Sequence, residues 1–127
     1  ALVHDAARPI VDEAVVDRVV AAARAGDCAV PGLPVTDTIK EVDDEGRVTK
    51  TLDRTKLWRV QTPQGFPREL IERAHREARA AGASATDDAA LCERISLPVR
   101  IVPGSERAMK VTHDEDFDRI EALLAPR

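Results

Sequence analysis

Tyrosine is absent from this chain, and one Trp with two Phe bring the aromatic share to only 2% of 127 residues. Aliphatic side chains must therefore build the core. Cysteine is almost as scarce: Cys28 and Cys92 stand alone, with no C-x-x-C pair, and only three His are scattered along the sequence. That set does not make a zinc site or a disulfide framework, and it points to a reducing compartment, the cytoplasm by default. No run approaches the roughly 18 apolar residues that a bilayer span requires, and no charged-then-apolar leader opens the chain. An excess of positive charge is also lacking. The formal net charge is −4, and the 19 basic residues, 15 of them Arg, are dispersed, so there is no basic field for nucleic acid. Nor is there a Gly-rich phosphate loop, or a Ser-His-Asp or Cys-His arrangement for nucleophilic catalysis. Internal repeats, linkers and low-complexity tracts are missing.

What is present is a soluble, single-domain composition, 33% charged and 43% hydrophobic. A chain of this length buries roughly two-thirds of its unfolded surface. It opens on Ala1-Leu2-Val3, which reads as a buried strand. An unanchored terminus there would fray, so further residues are expected upstream and the chain is expected to be the C-terminal part of something larger.

Four helices are expected. The first follows Asp12-Glu13, with Val15, Val16, Val19 and Ala23 on one face and Gly26 beyond its end. The second starts at Pro67 and carries Leu70, Ile71, Ala74 and Ala78 to Gly82. A short third covers Asp87 to Arg94, with Thr86 or Asp87 as its cap. The fourth opens on Thr112-His113-Asp114-Glu115, which has capping-box spacing, and presents Phe117, Ile120, Leu123 and Leu124. Extended runs at Leu2-Val3, Cys28 to Val35, Leu57 to Gln61 and Val99 to Val102 alternate with these helices. Such alternation predicts an α/β layer with a mostly parallel sheet. Residues 37–56 break the pattern. Runs at 38–42 and 47–51 flank the turn Asp43-Asp44-Glu45-Gly46 and alternate charged with apolar or Thr residues. This is a projecting β-hairpin arm, too polar to form a core and in need of a partner surface.

Several segments can carry chemistry. His4-Asp5-Ala6-Ala7-Arg8-Pro9 follows the first strand, where open α/β sheets bind ligands. Asp5 either holds Mg²⁺ or a sugar hydroxyl there, or merely caps a turn. Arg54 and Lys56 lie at the base of the arm beside Trp58, and they suit either phosphate or a solvated surface. Trp58 itself reads as a core anchor. Thr62, in Gln61-Thr62-Pro63-Gln64-Gly65-Phe66-Pro67, can meet an anion at a helix start or sit in a structural turn. Thr86 and Lys110 likewise allow a ligand contact or a structural role.

Taken together, His4-Asp5-Ala6-Ala7-Arg8-Pro9, Asp37-Thr38-Ile39-Lys40, Asp53-Arg54-x-x-Leu57-Trp58, Gln61-Thr62-Pro63-Gln64-x-Phe66, Thr86-Asp87-Asp88-Ala89 and Lys110-Val111-Thr112 resemble the 2-C-methyl-D-erythritol 4-phosphate cytidylyltransferases in order and spacing. The resemblance covers essentially the whole chain and matches the family's C-terminal half. The family's nucleotide-binding loop, Ala-Ala-Gly-x-Gly-x-Arg, and a following Pro-Lys are not in these residues. Ala108-Met109 stands where the family commonly has Asn and an aliphatic residue.

The resemblance implies a Rossmann-like nucleotidyltransferase sheet, here its C-terminal portion, and a homodimer whose arms embrace. It implies transfer of cytidylyl from CTP to methylerythritol phosphate with Mg²⁺ in non-mevalonate isoprenoid synthesis, releasing pyrophosphate. Asp5 would contact the substrate hydroxyls and lie near the metal and CTP, with Ala6 on the nucleotide side and Arg8 in the substrate pocket. Thr38 and Arg54 would reach the substrate phosphate in the partner's site, while Thr62, Thr86 and Lys110 serve their own. Arg54 and Lys110 would aim the nucleophilic phosphate. The lysine and arginine that stabilise the transition state are expected upstream, so these residues alone are expected to be inactive. Four other readings are a sister enzyme for ribitol phosphate, a non-catalytic dimerisation or ligand-binding module, a fusion with the next pathway enzyme, and a fragment of a sugar-phosphate nucleotidyltransferase of other base specificity. The ending Ala125-Pro126-Arg127, without a linker, speaks against the fusion.

Overall fold

A computed structural model describes residues 1–126. The chain runs β1 (Leu2–Val3), α1 (Glu13–Arg24), β2 (Cys28–Pro34), β3 (Lys40–Val42), β4 (Val48–Thr51), a 3-10 turn (Arg54–Lys56), β5 (Trp58–Val60), β6 (Gln64–Gly65), α2 (Arg68–Ala81), α3 (Asp88–Arg94), β7 (Val99–Pro103) and α4 (Glu115–Leu124). This is the mixed α/β layer that the alternation predicts. None of the described helices is long and apolar enough to cross a membrane.

β2 is the hub of the main sheet. Its residues from Cys28 to Gly32 are buried, as expected of a strand covered on both faces. Cys28 and Val30 point into a core with Phe66, Ile71, Ala74, Ala78, Ala89, Leu91 and Cys92, which α2 and α3 cover. Ala29, alternating with them, belongs to the other face, where α1 packs through Val15 and Val19. On α2 the residues Ile71, Ala74 and Ala78 recur at helical spacing, and Gly82 ends the helix in the left-handed conformation, φ 64°. The two cysteines are free and buried. Burial, followed by the neighbouring Cys28 and nearby carboxylates, pushes the Cys92 thiol up to about 12, so it stays protonated.

The expectation of a mostly parallel sheet is corrected. Among the described residues only β2–β7 is parallel, while β1–β6, β2–β6 and β2–β5 are antiparallel. The cause lies in the arm. A hairpin, rather than a helical crossover, reverses the chain, so it returns along the edge that β2 leaves open. β5 and β6 share that edge, Gly32 opposite Val60 and Ala29 opposite Gly65, interrupted at Thr62–Pro63. The break turns Thr62 out of the ladder towards the end of β1.

β3 and β4 pair only with each other, as a separate two-stranded ribbon. Asp43 closes its turn by accepting from the backbone N–H groups of Glu45 and Arg47, both at 2.9 Å. Ile39, Val42 and Val48 are exposed.

Two further expectations are corrected. Trp58 is 45% exposed, because it sits opposite Pro34 at the outer end of β5 rather than beneath a helix. At the start of α4, Asp116 replaces Glu115 as the capping acceptor. Its Oδ2 accepts from the N–H of Thr112 at 2.9 Å, the Thr112 hydroxyl at 3.1 Å and the N–H of His113 at 3.0 Å. Those bonds hold its carboxyl below the usual carboxylate range. With Asp116 and Ile120 inward and Leu123 half-buried beside them, the helix is rotated so that Phe117 and Leu124 face solvent.

Gly65 sits where β6 passes beneath α1. A Cβ there would overlap Val19 Cγ1 and lie 3.2 Å from the Val19 carbonyl oxygen. Val19 is fully buried, so neither atom can yield freely. Gly65→Ala is therefore expected to destabilise by about 1–3 kcal/mol through overpacking, read as a lower melting temperature and urea midpoint.

Candidate functional site

The turn after β1 carries the site. The Ala7 N–H donates to Asp5 Oδ1 at 3.0 Å, and the Arg8 N–H donates to the Asp5 carbonyl at 3.0 Å, so residues 5–8 form a tight Asx-type turn. Small residues at Ala6 and Ala7 keep the turn open. Thr62, released by the break between β5 and β6, accepts from the Asp5 N–H at 3.0 Å. His4 bridges the turn, with Nδ1 at 3.0 Å from Thr62 Oγ1 and Nε2 at 2.9 Å from the Arg8 carbonyl. From the loop after β7, the Val111 N–H donates to the Ala7 carbonyl at 2.8 Å, bringing Lys110 Nζ to 3.4 Å from Asp5 Oδ2. The Arg8 guanidinium donates to the Ala108 carbonyl, and its Nε is buried without a partner.

Two buried glutamines hold this wall together. Gln61, 5% exposed, clips the β7 loop through both atoms of its amide: Nε2 donates to the Ser105 carbonyl at 2.9 Å, and Oε1 accepts from the Ser105 N–H at 3.1 Å. Gln64, 3% exposed, clips α3, donating to Asp87 Oδ2 at 3.0 Å and accepting from the Ala89 N–H at 3.2 Å. Asp87 in turn caps α3 by accepting from the Ala90 N–H at 2.8 Å, one of the two caps expected there. Thr86, the residue before Asp87, lines the same hollow as Thr62.

The wall separates two hollows. One, of about 220 Å³, is lined by Asp5, Thr62, Gln64, Thr86, Asp87 and Asp88 among others. Its character is acidic and rich in acceptors, which suits hydroxyl groups. The other, of about 350 Å³, is lined by Arg8, Arg59, Gln61, Glu106, Lys110 and Arg119 among others. Four cations against one carboxylate make it suit an anion. The Asp5–Lys110 pair stands on the boundary.

Electrostatics follow the contacts. The Ala7 N–H, then the hydrogen bond and charge of Lys110 and the charge of Arg8, hold the Asp5 carboxyl below its usual range against the opposing effect of burial. Burial lowers the Arg8 guanidinium from its ordinary value, with Asp5 opposing. Because the folded Asp5 value is depressed, its contribution to stability is fully present above the unfolded value of about 3.9 and fades as pH falls through the folded one. Urea unfolding of wild type and Asp5→Asn should therefore differ by a constant amount near neutrality, and the two should converge below about pH 4. A gap that widened on acidification would contradict the pairing.

The fold thus gathers Asp5, Arg8, Thr62, Thr86 and Lys110 around one wall. Ala6 lines neither of these hollows but a neighbouring apolar one of about 260 Å³, with Pro9, Val111 and Phe117. Thr38 and Arg54 line neither of the two hollows. Arg54 stands at the foot of the arm, its guanidinium donating to the Thr36 carbonyl at 2.7 Å. The turn that carries it is capped by Asp53 through Thr55. No group of three or more His, Cys, Asp or Glu is arranged to hold a metal ion among the described residues. Sequence reasoning missed His4, Gln61, Gln64, Arg59 and Arg119 as parts of the site. For the two glutamines flanking Thr62-Pro63, the available signal was a pair of amides on either side of a short break between strands, each of which needs a partner once buried.

The family model for 2-C-methyl-D-erythritol 4-phosphate cytidylyltransferase matches residues 1–126. A protein of that description from Prochlorococcus marinus (strain MIT 9313) is 44% identical over 126 residues, 99% of this chain and 56% of that protein. A bifunctional enzyme IspD/IspF from Nitratidesulfovibrio vulgaris (strain DP4) is 51% identical over 122 residues, 95% of this chain and 31% of that protein. Among solved structures, the cytidylyltransferase of Thermus thermophilus superposes with a TM-score of 0.87 at 43% identity, covering 96% of this chain and 60% of that one. The chain spans about half the length of the single-activity relatives that it matches.

Proposed function

Since the chain belongs to the 2-C-methyl-D-erythritol 4-phosphate cytidylyltransferase family, we propose that the protein it forms transfers cytidylyl from CTP to that polyol phosphate in the cytoplasm. The observation that carries this reading is the Asp5–Lys110 pair, 3.4 Å apart, with an acceptor-lined hollow on one side and a cationic one on the other. A polyol phosphate has those same two ends. Its hydroxyls meet Asp5, Thr62 and Thr86, and its phosphate meets Lys110 and Arg8.

In the reaction an oxygen of the polyol's phosphate attacks the α-phosphorus of CTP. A new P–O–P bond forms, the α–β bond breaks, and pyrophosphate leaves with the electron pair. Such transfer depends on aiming and charge neutralisation more than on covalent help. Lys110 aims the nucleophile from its own subunit. Arg54, with Thr38 also on the arm, does so from the partner in a homodimer, and Ala6 borders the nucleotide. The exposed apolar and charged faces of the arm support that arrangement, because a ribbon of two strands gains its order from a surface packed against it.

A magnesium ion held with a nucleotide takes one or two carboxylates beside phosphate oxygens. Asp5, a single ionised carboxylate on the boundary, fits as one such ligand, and the ion would neutralise the triphosphate. The nucleotide loop and its transition-state cations are proposed to lie in the part of the relatives' length that these residues do not match, so that residues 1–127 alone do not turn over.

The test is pyrophosphate release from CTP and Mg²⁺ by the full-length protein, offered methylerythritol phosphate or ribitol phosphate. Release with methylerythritol phosphate alone supports the proposal. Preference for ribitol phosphate would overturn the pathway, and no release with either would overturn the catalytic reading.

A further inference from the structure

His4 has no part in the reaction as described, yet both of its ring nitrogens are engaged. The Arg8 carbonyl, 2.9 Å from Nε2, has no proton to give, so Nε2 must carry the hydrogen and donate. A neutral ring protonated there leaves Nδ1 as a bare acceptor. The atom facing Nδ1 is Thr62 Oγ1 at 3.0 Å, and its hydroxyl proton is the one available for that contact. One lone pair of the same oxygen already receives the Asp5 N–H at 3.0 Å. A hydroxyl offers one donor and two acceptor positions. What remains at Thr62, which lines the hollow, is a single lone pair.

We infer that His4 is a positioning residue: by taking the Thr62 proton, it makes Thr62 an obligatory hydrogen-bond acceptor towards the ligand, so that this point reads a substrate hydroxyl and not a phosphate oxygen. The inference rests on the proposed function for the identity of the substrate. The surroundings agree with it, since Asp5, Asp87 and Asp88 line the same hollow and are acceptors when ionised. An unprotonated phosphate oxygen would find no donor in the Thr62 hydroxyl. A polyol hydroxyl finds an acceptor oriented before it arrives. The phosphate is thereby directed to the cationic hollow beyond Lys110, and the His4–Thr62 contact fixes which end of the substrate enters which side.

Two measurements on the full-length protein test this. Long-range proton–nitrogen NMR spectra of the imidazoles, at a pH well above the ordinary imidazole range, should show His4 as a neutral ring protonated at Nε2. An Nδ1-protonated ring would overturn the inference, whatever the enzyme's substrate. In steady-state kinetics, His4→Phe should raise KM for methylerythritol phosphate about tenfold while leaving KM for CTP unchanged, the size of effect expected for one misdirected hydrogen bond. His4→Asn, whose Oδ1 replaces Nδ1 as acceptor, should recover most of that loss. On a Thr62→Val background, His4→Phe should add less than about a twofold further change, because the atom it orients is gone. A full His4→Phe effect that persists without the Thr62 hydroxyl would assign His4 a merely structural role and overturn the inference. A wild-type protein that ignores methylerythritol phosphate would retire the functional reading alone, and the NMR result would still decide for or against His4.

Discussion

Replacing Arg54 by Ala in the full-length protein is expected to lower kcat/KM for methylerythritol phosphate about 100-fold and leave KM for CTP nearly unchanged, since losing a charge-assisted contact costs about 1.5–3 kcal/mol. In the subunit that carries it, Arg54 spends one donor on the Thr36 carbonyl and is otherwise free at the foot of an exposed ribbon. A guanidinium has five donors in a rigid fork, so a phosphate from a neighbouring subunit can still be met by two of them. Arg54→Lys, which keeps the charge but loses the fork, should recover only part of the activity.

Mixing gives a sharper form of the same test. Arg54→Ala and Lys110→Ala proteins should each be nearly inactive as homodimers. If the proposed dimer forms with each arm reaching the other subunit's site, a mixed dimer contains one site with both cations intact, so unfolding and refolding the two together should restore activity. If Arg54 serves its own subunit, every site in the mixture lacks a cation and nothing returns. A KM for methylerythritol phosphate that stays put in Arg54→Ala would remove the arm from the site altogether.

Phe66→Ala should have the largest effect on stability, about 3–5 kcal/mol against a total of about 5–15 kcal/mol for a domain of this kind. Phe66 is fully buried among Cys28, Val30, Ile71, Ala74 and Cys92, and with so few aromatics nothing nearby is large enough to fill the space it leaves. Its loss should reach the site as well. Phe66 anchors the end of the segment in which Gln61 and Gln64 hold Thr62 against Asp5. Urea denaturation should show the loss directly, and a cost below about 1 kcal/mol would mean that the core relaxes around the cavity far more than packed interiors do. Phe66→Leu, which keeps most of the volume, should recover most of the stability and, with it, the affinity for the polyol phosphate.

The pieces of this protein were legible one at a time. Spacing located α1, α2 and α3 within a residue or two, because each buries one face and carries its stop signal in the chain: Gly26 beyond α1, Gly82 at the end of α2, Asp87 capping α3. The polar hairpin was readable from its alternation and its Asp-Asp-Glu-Gly turn. Asp5, Arg8, Thr62, Thr86 and Lys110 all lie in segments singled out for chemistry from the sequence, whereas Arg59 and Arg119, which line the cationic hollow, do not. Where the reading failed, the deciding contact was with a part of the chain far away. Trp58 looked like a core residue by composition, but which residues become core depends on what lies over a strand, and β5 closes an edge. The capping acceptor of α4 moved from Glu115 to Asp116 because Thr112 and His113 are held by a loop already tied to Ala7.

By itself the sequence determined the class of the fold, the helices and the residues equipped for chemistry, since propensity, periodicity and capping act over a few neighbouring positions. Only the tertiary structure decided the direction of the strands and the composition of the site. His4 and Thr62 are 58 residues apart, and Asp5 and Lys110 lie near opposite ends of the chain. Their contacts exist because a hairpin returned β5 and β6 along β2 and two buried glutamines fastened the neighbouring loops to that edge. Contacts of that range are fixed by loop closure and by the satisfaction of buried polar groups, and neither is written in the local pattern of residues.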